Sequence, residues 1–149
     1  VAAAKDLPSK RVKPFSGDRQ GIIDAVRDAL YGSKIMSYAQ GFVQLGKASE
    51  LYNWGLNFGD IASIWRAGCI IRAGFLNRIT EAYRDNPGLK NLMLAPYFRD
   101  KLLATQANWR IAVCAAVERG VAAPAFSAVR AASSGPGRAP RRSDGALCR

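Results

Sequence analysis

The sequence contains no histidine, and this removes much of the chemistry that enzymes commonly use. Histidine is the usual general base near neutral pH, the partner of activated nucleophiles and a frequent ligand of catalytic zinc. A catalytic site in this chain would have to be built from other groups. The composition, with 49% hydrophobic and 22% charged residues in a chain of 149, is that of one globular domain with a real core.

Cysteine is scarce, and its spacing excludes the common metal and redox motifs. Cys69, Cys114 and Cys148 show no C-x-x-C spacing, and two of them lie among apolar residues. We interpret them as reduced, buried thiols of a cytoplasmic protein. Cys69 is a formal candidate for a nucleophile. Without histidine, and between Gly68 and Ile70, an inert thiol is the favoured interpretation.

No apolar run reaches the roughly 18–20 residues that span a membrane. Arg66 and Arg72 interrupt the best candidate, and no signal peptide is visible. We therefore predict a cytoplasmic protein without a membrane segment. Alternation of apolar and polar residues, the pattern of a strand, is missing too, so the folded part is predicted to be all-helical.

The net charge of +11 is concentrated at the two ends of the chain. Residues 130–149 hold five Arg and one Asp, and residues 1–20 hold five basic and two acidic residues. A basic, non-specific nucleic-acid-binding module is therefore an alternative function. The basic tail has no interleaved aromatic residues for stacking on bases, so nucleic-acid binding is not the expected role.

Apolar residues at steps of three and four predict a helical core over residues 18–128. Ser16 or Asp18 can cap a long central helix that runs to about Tyr52 and is apolar on several sides, as a helix packed by neighbours would be. Its glycines are Gly32, Gly41 and Gly46. They indicate close approach of neighbouring helices or, alternatively, a kink near Gly41.

A second helix is predicted from Asn57 to Arg84, with a break near Gly68 as the alternative. Asn57 can cap it, and Asp60 lies in its first turn. One apolar stripe comprises Ile61, Ile64, Trp65, Gly68, Arg72, Phe75, Leu76, Ile79 and Tyr83.

Apolar residues off that stripe extend the surface that we expect to be covered. Ile70 and Ile71 predict a helix that is packed on most sides. Arg72 lies on the stripe, so it would need a carboxylate or another anion beside it.

Proline and glycine set the remaining boundaries. Residues 85–88, with the sequence DNPG, stop the second helix, and residues 89–95 form a short apolar segment of about one turn. Pro96 suits the first position of the next helix, which Gly120 would end, and Pro124 would begin a further one. Residues 1–17 are predicted to be an extended lead-in. Residues 129–149, rich in Arg, Gly and Pro, are predicted to be a disordered tail.

Several charged residues can be interpreted as ligands, but a structural role is favoured for each. Arg66 and Arg72 match the geometry of phosphate, yet a buried ion pair or a contact with backbone carbonyls is the simpler role. Asp24 and Asp28 share a helix face and imitate a carboxylate pair. A solvated face beside Arg27 is the simpler interpretation.

The three tryptophans are candidates for stacking on bases, but their helical spacing among Ile and Val indicates the core. They are Trp54, Trp65 and Trp109.

Several motifs occur in a fixed order along the chain. They are ALY at 29–31, KIMSYAQGF at 34–42, LNFGDIA at 56–62, WRAGCIIR at 65–72, FL at 75–76, NP at 86–87, NL at 91–92, PYF at 96–98, WR at 109–110 and PAFSA at 124–128. In this order and spacing they resemble the middle part of the C-terminal all-helical domain of decarboxylating 6-phosphogluconate dehydrogenases. The resemblance covers nearly all of residues 1–128.

The resemblance implies an enzyme that oxidises 6-phosphogluconate with NADP and decarboxylates it to ribulose 5-phosphate, in the pentose phosphate pathway and gluconate utilization. It further implies an N-terminal Rossmann domain, a large helical domain and a C-terminal tail that reaches into the partner subunit of a homodimer. This sequence has no G-x-G-x-x-G loop after a strand. NADP is therefore not expected to bind this chain.

The resemblance assigns no site residue to this sequence. The family's catalytic Lys and Glu and its K-G-T-G-x-W signature would precede Val1, and the Arg and His of its tail would follow Ala128. No catalytic, substrate-binding, cofactor-binding or metal-binding residue is thus predicted. We expect a structural and dimerisation fragment that is inactive alone, self-associates, and meets 6-phosphogluconate only in the intact enzyme.

The resemblance ends abruptly after Ala128. The family would continue with a Tyr-rich helix and a Q-R-D-Y-F-G-A-H segment, whereas this chain continues into its Arg/Gly/Pro-rich tail. We hypothesise that residues 129–149 are a frame-shifted or otherwise aberrant end. A non-functional remnant with exposed apolar surface is a further alternative.

Overall fold

The computed structural model describes residues 17–66 and 68–133, and these form helices joined by short connections. The helices are α1 (Arg19–Tyr52), α2 (Phe58–Ile64), α3 (Leu76–Asp85), a 3₁₀ turn (Leu92–Leu94), α4 (Pro96–Glu118) and α5 (Pro124–Ser133). No strand occurs within the described ranges. The all-helical prediction is confirmed.

Helix α1 is the central element, and it runs for 34 residues without a break. It starts after Asp18 and ends where Asn53 takes a left-handed conformation with φ of 54°. It packs along α4 and also contacts α5 and the 3₁₀ turn. The predicted bounds are confirmed, and the helix continues through Gly41 without a break.

Two apolar clusters lie on different sides of α1. The larger contains Ile35, Ala39, Phe42, Ala62, Ala73, Phe75, Leu76, Ile79, Tyr83, Leu92, Ala95 and Phe98. The smaller contains Ala25, Ala29, Met36, Trp109 and Ala112. Because α1 contributes to both clusters, its two flanks are buried at the same time, as expected of a helix that is apolar on several sides.

The three helical glycines of α1 have different surroundings. A Cβ at Gly32 would lie 2.7 Å from the ring of Trp109, so this glycine lets α4 approach closely. A Cβ at Gly46 would make an ordinary contact with Phe58 at 3.7 Å. At Gly41 nothing described lies within 4 Å. The prediction of close approach is confirmed at Gly32 and wrong at Gly41 within the described chain.

The second predicted helix is two helices, and the break is longer than one glycine. Helix α2 stops at Ile64, and α3 starts only at Leu76. Gly68, in the connection, has φ of 71°, which disfavours any residue with a side chain. The alternative of a break near Gly68 is confirmed, and the single uninterrupted stripe is wrong.

The connection also overturns three expectations about burial. Ile64 is 72% exposed and Ile70 is fully exposed, at 101%. Arg72 is exposed as well, so it does not need the buried anion that its place on a continuous stripe predicted. For Ile70 and Arg72 the reason is that the chain leaves the helical path at Trp65, so the 3.6-residue period no longer places these side chains on the buried face. Ile64 is the last residue of α2 and is exposed although it lies within the helix.

The other predicted boundaries are confirmed. The side chain of Asn57 accepts a hydrogen bond from the backbone N–H of Asp60 at 3.2 Å, which caps α2. Helix α3 ends at Asp85, and Pro96 is the first residue of α4. Gly120, with φ of 62°, follows the end of α4.

The two ends of the chain are described only in part. Helix α5 begins at Pro124, as predicted, and continues to Ser133. The predicted start of the disordered tail, at residue 129, is therefore too early, because residues 129–133 belong to α5. Residues 1–16 of the predicted lead-in lie outside the described residues. The predicted tail beyond Ser133, including Cys148, lies outside them as well. No helix among the described residues is long and apolar enough to cross a membrane.

Candidate functional site

The two arginines of the connection between α2 and α3 are exposed. Arg66 donates from Nε to the carbonyl of Ser63 at 3.2 Å and from Nη1 to Oδ1 of Asn77 at 3.1 Å. It thereby ties the end of α2 to the first turn of α3. Arg72 is exposed, and neither arginine lines the cavity described below. The predicted contact of Arg66 with a backbone carbonyl is confirmed, but its predicted place within the helical core is wrong, because the side chain is exposed.

The aspartates near the start of α1 are joined to basic and amide groups. Asp24 accepts from Arg27 at 2.8 Å, and Oδ1 of Asp28 lies 3.5 Å from Nε of the same arginine. Asp28 also accepts from Nδ2 of Asn108 on α4 at 2.6 Å. The position beside Arg27 is as interpreted, but the face is not fully solvated, because Asp28 is half-buried against Asn108. The link to Asn108 joins residues 80 positions apart, so no local pattern could predict it.

The tryptophans divide between core and surface. Trp109 is buried, and its Nε1 donates to the carbonyl of Phe126 at 3.2 Å. Trp65 packs against the larger cluster. Trp54 is exposed and stacks on Tyr52, with ring centroids 5.1 Å apart, so the prediction of a core position is wrong for this residue.

A shallow cavity of about 410 Å³ lies at the start of α2. It is lined by Gly55, Leu56, Asn57, Phe58, Tyr83, Arg84 and Pro87. The side chain of Asn57 is used in the helix cap, and Nη2 of Arg84 lies 3.9 Å from Oδ1 of Asp60. Burial raises the pKa of Tyr83 to about 12, so this hydroxyl stays protonated at neutral pH. The cavity therefore offers no group that could serve as a base near neutral pH.

A second polar cluster joins α1 to α4. The hydroxyls of Tyr31 and Tyr97 share a hydrogen bond of 2.9 Å. Arg78 and Lys101 lie 5.4 and 6.0 Å from the centre of the Tyr97 ring, within the range of cation–π attraction. Burial and the bond to Tyr97 raise the pKa of Tyr31 to about 12, so this hydroxyl also remains a neutral hydrogen-bonding group.

The same aromatic side of α1 holds the connection between α2 and α3 in place. The hydroxyl of Tyr38 donates to the carbonyl of Ile71. The rings of Tyr31 and Tyr38 meet Phe75 edge-on, with centroids 5.7 and 5.3 Å apart. These contacts are those of a scaffold, because each polar atom is used to join one element to another.

Metal chemistry has no basis in the described part of the chain. No group of three or more His, Cys, Asp or Glu side chains is arranged there to hold an ion. Cys69 is half-buried in the connection between α2 and α3, close enough to Tyr38 to influence its titration. The sequence has no histidine that could act as a general base for this thiol.

The most extensive unusual feature is a surface rather than a pocket. We call it the exposed stripe of α1, and its exposed members are Ile23, Val26, Leu30, Lys34, Ser37 and Gln44. Gly41 and Ala48 continue the same spacing but are half-buried. Ile23, Val26 and Leu30 are 47%, 46% and 51% exposed although they are large and apolar. These large apolar members all lie in the first half of α1.

The comparison with protein families decides between these interpretations. The family model of the 6-phosphogluconate dehydrogenase C-terminal domain matches residues 1–131. This chain belongs to the 6-phosphogluconate dehydrogenase family. The match confirms the predicted resemblance and extends three residues beyond the predicted end at Ala128.

Individual relatives carry the same name. The chain is 58% identical over 127 residues to the decarboxylating 6-phosphogluconate dehydrogenase of Synechococcus elongatus. This match covers 85% of this chain and 27% of that protein. It is 54% identical over 128 residues to the Escherichia coli enzyme, and this match covers 86% of this chain and 27% of that protein. The chain therefore spans about a quarter of the length of the curated relatives that it matches.

A solved 6-phosphogluconate dehydrogenase has the same fold over this region. The Plasmodium falciparum protein superposes with a TM-score of 0.84 at 38% identity, over 89% of this chain and 29% of that one. That protein is described in its apo form, with its cofactor NADP+ and with its substrate 6-phosphogluconate. The predicted fold, a long central helix packed by further helices, is confirmed by this likeness.

Proposed function

We propose that this chain forms a structural part of the helical domain of an NADP-dependent, decarboxylating 6-phosphogluconate dehydrogenase. The observation that carries the proposal is the match of residues 1–131 to the C-terminal domain of the family. The side chains support a scaffold role, because several polar groups join one element to another, such as Asn108 to Asp28 and Tyr38 to the carbonyl of Ile71. In this proposal the chemistry belongs to parts of the family protein outside the matched region.

The described residues do not fit NADP. A dinucleotide needs a glycine-rich turn between a strand and a helix, where backbone N–H groups can approach the pyrophosphate. The described residues contain no strand, and the sequence has no G-x-G-x-x-G loop. We therefore assign no step of the reaction to this chain and no cofactor contact to its residues. The proposed enzyme takes NADP and 6-phosphogluconate elsewhere.

Self-association is part of the proposal. Two large apolar side chains are exposed here, Ile64 at the end of α2 and Ile70 in the connection between α2 and α3, and such side chains favour contact with a second copy. We propose that this loop contributes to a homodimer surface. A cytoplasmic location remains a prediction of the family resemblance.

We also retain the proposal that the end of the chain departs from the family. The family match stops at residue 131, shortly before the Arg/Gly/Pro-rich stretch. Sequencing the gene through this region tests it. A family-like continuation in another frame would support the proposal, and an in-frame tail conserved in independent isolates would contradict it.

The experiment that tests the proposed function is a chimera. The 127 residues that match the Synechococcus elongatus enzyme would replace their counterpart in that enzyme. If the chain is an equivalent scaffold, the chimera should reduce NADP when 6-phosphogluconate is added, with the unaltered parent as control. A folded chimera without this activity would contradict the proposal.

A further inference from the structure

The connection between α2 and α3 contains a short loop that contributes little to the apolar core. We call residues 68–72 the 68–72 loop. Its first residue, Gly68, has φ of 71°, and the two isoleucines that follow, Ile70 and Ile71, are 101% and 43% exposed. Ala73, directly after the loop, is buried in the larger cluster. The loop is therefore a stretch of five residues between a glycine turn and a buried anchor.

The loop is joined to α1 through one hydroxyl group. Its own backbone bond, from the N–H of Arg72 to the carbonyl of Cys69 at 3.1 Å, closes a turn within the loop. The hydroxyl of Tyr38 on α1 donates from outside to the carbonyl of Ile71. Burial and, to a smaller extent, Cys69 raise the pKa of Tyr38, so this hydroxyl keeps the proton that it donates at neutral pH.

The ring that carries this hydroxyl is held by contacts outside the loop. The centroid of the Tyr38 ring lies 5.3 Å from that of Phe75 and 6.3 Å from that of Trp65. Both neighbours belong to the larger cluster or pack against it. The donor is thus fixed by the core, and removal of the hydroxyl alone would leave the ring in its place.

Opening of the loop would cost much less than unfolding of the helices. It would break the bond from Tyr38 but expose little further apolar surface, because Ile70 is already in solvent. Segments with few buried apolar contacts open locally, at free energies below that of global unfolding. The loop also carries the half-buried thiol of Cys69, whose reaction with a reagent depends on access. Opening therefore has a chemical consequence that can be measured.

We propose that the 68–72 loop is a flap latched by the Tyr38 hydroxyl, and that its opening controls access to the Cys69 thiol while the helices stay folded. Gly68 serves as the hinge on one side, because glycine changes its backbone angles at little steric cost. Ala73 limits the movement on the other side. The device belongs to this chain itself, and it does not depend on the proposed function.

The test is the rate at which N-ethylmaleimide labels each thiol of the purified chain at neutral pH. Trypsin places Cys69 in the peptide 67–72 and Cys114 in the peptide 111–119, so mass spectrometry measures the two rates separately. Cys114 lies on α4 and is the internal reference, because its exposure does not involve the loop. The Cys69 rate should change little in low urea, since local opening exposes little surface.

One pair of variants isolates the latch. Tyr38→Phe keeps the ring and removes the donor, so it should raise the Cys69 rate about three- to tenfold, the effect of losing one hydrogen bond, and leave the Cys114 rate unchanged. Tyr31→Phe is the matched control. It removes a hydroxyl that bonds to Tyr97 and not to the loop, and it should leave the Cys69 rate unchanged.

Each outcome decides the proposal. An unchanged Cys69 rate in Tyr38→Phe, or an equal rise in Tyr31→Phe, would overturn it. Equal rises at Cys69 and Cys114 would show that the whole chain unfolds more often, which would also overturn it. The rates are measured at two protein concentrations, and protection of Cys69 that disappears on dilution would assign that protection to a second copy instead.

Discussion

At the scale of single residues, the contact between Gly32 and Trp109 fixes how closely α1 and α4 pack. A Cβ at position 32 would meet two ring atoms of Trp109, at 2.7 and 2.8 Å, and a buried indole has little room to move. We expect Gly32→Ala to lower the free energy of unfolding by about 1–3 kcal/mol, the usual cost of overpacking. Gly41→Ala, in open space, should raise it by about 0.5–1 kcal/mol. Urea titration of both variants checks this, and equal effects would contradict it.

Tyr83 gives the fold a dependence on alkaline pH. Burial raises its pKa from 10.0 to about 12, so the folded chain keeps a proton that the unfolded chain loses between these values. The stabilisation is complete below pH 10 and is lost as pH rises towards 12. Tyr83→Phe should therefore flatten the fall of the urea midpoint between pH 10 and about pH 12. Some dependence of the urea midpoint on pH should remain in this variant, because the pKa of Tyr31 is raised to about 12 as well. If Tyr83→Phe left the fall of the midpoint with pH unaltered, Tyr83 would not be its source.

At the scale of elements, the start of α2 depends on one side chain. Oδ1 of Asn57 accepts from the backbone N–H of Asp60 and satisfies a donor that the helix leaves unpaired. We expect Asn57→Ala to cost about 1 kcal/mol. Asp18 stands at the same position before α1 but makes no side-chain cap bond, so Asp18→Ala should cost less. Thermal unfolding of the two variants tests the difference, and the reverse order would be inconsistent with this account.

Local sequence signals were sufficient to predict the helices whose apolar residues follow the helical period from end to end. The bounds of α1, the cap at Asn57 and the start of α4 at Pro96 follow from residue types at helix ends. The long connection between α2 and α3 could not be predicted in this way. Its apolar residues continue the helical spacing by coincidence, while Arg66, Tyr38 and the left-handed Gly68 hold the chain off the helical path.

At the scale of the whole molecule, the family could be predicted because many short motifs kept their order and spacing. The absence of an assigned active site followed from the same comparison, and the described residues provide scaffold contacts in its place. The link from Asn108 to Asp28 and the exposed stripe of α1 needed coordinates, since both depend on residues far apart in the sequence. An uncovered stripe cannot be distinguished from a buried one by periodicity alone.

The central claim is that these 149 residues supply structure and not chemistry to a 6-phosphogluconate dehydrogenase. The most direct measurement is NADP reduction in the presence of 6-phosphogluconate, with the purified chain and the Synechococcus chimera assayed side by side. The account predicts no turnover by the chain alone and turnover by the chimera with a KM close to that of the parent. Turnover by the chain alone, or a folded chimera without activity, would contradict it.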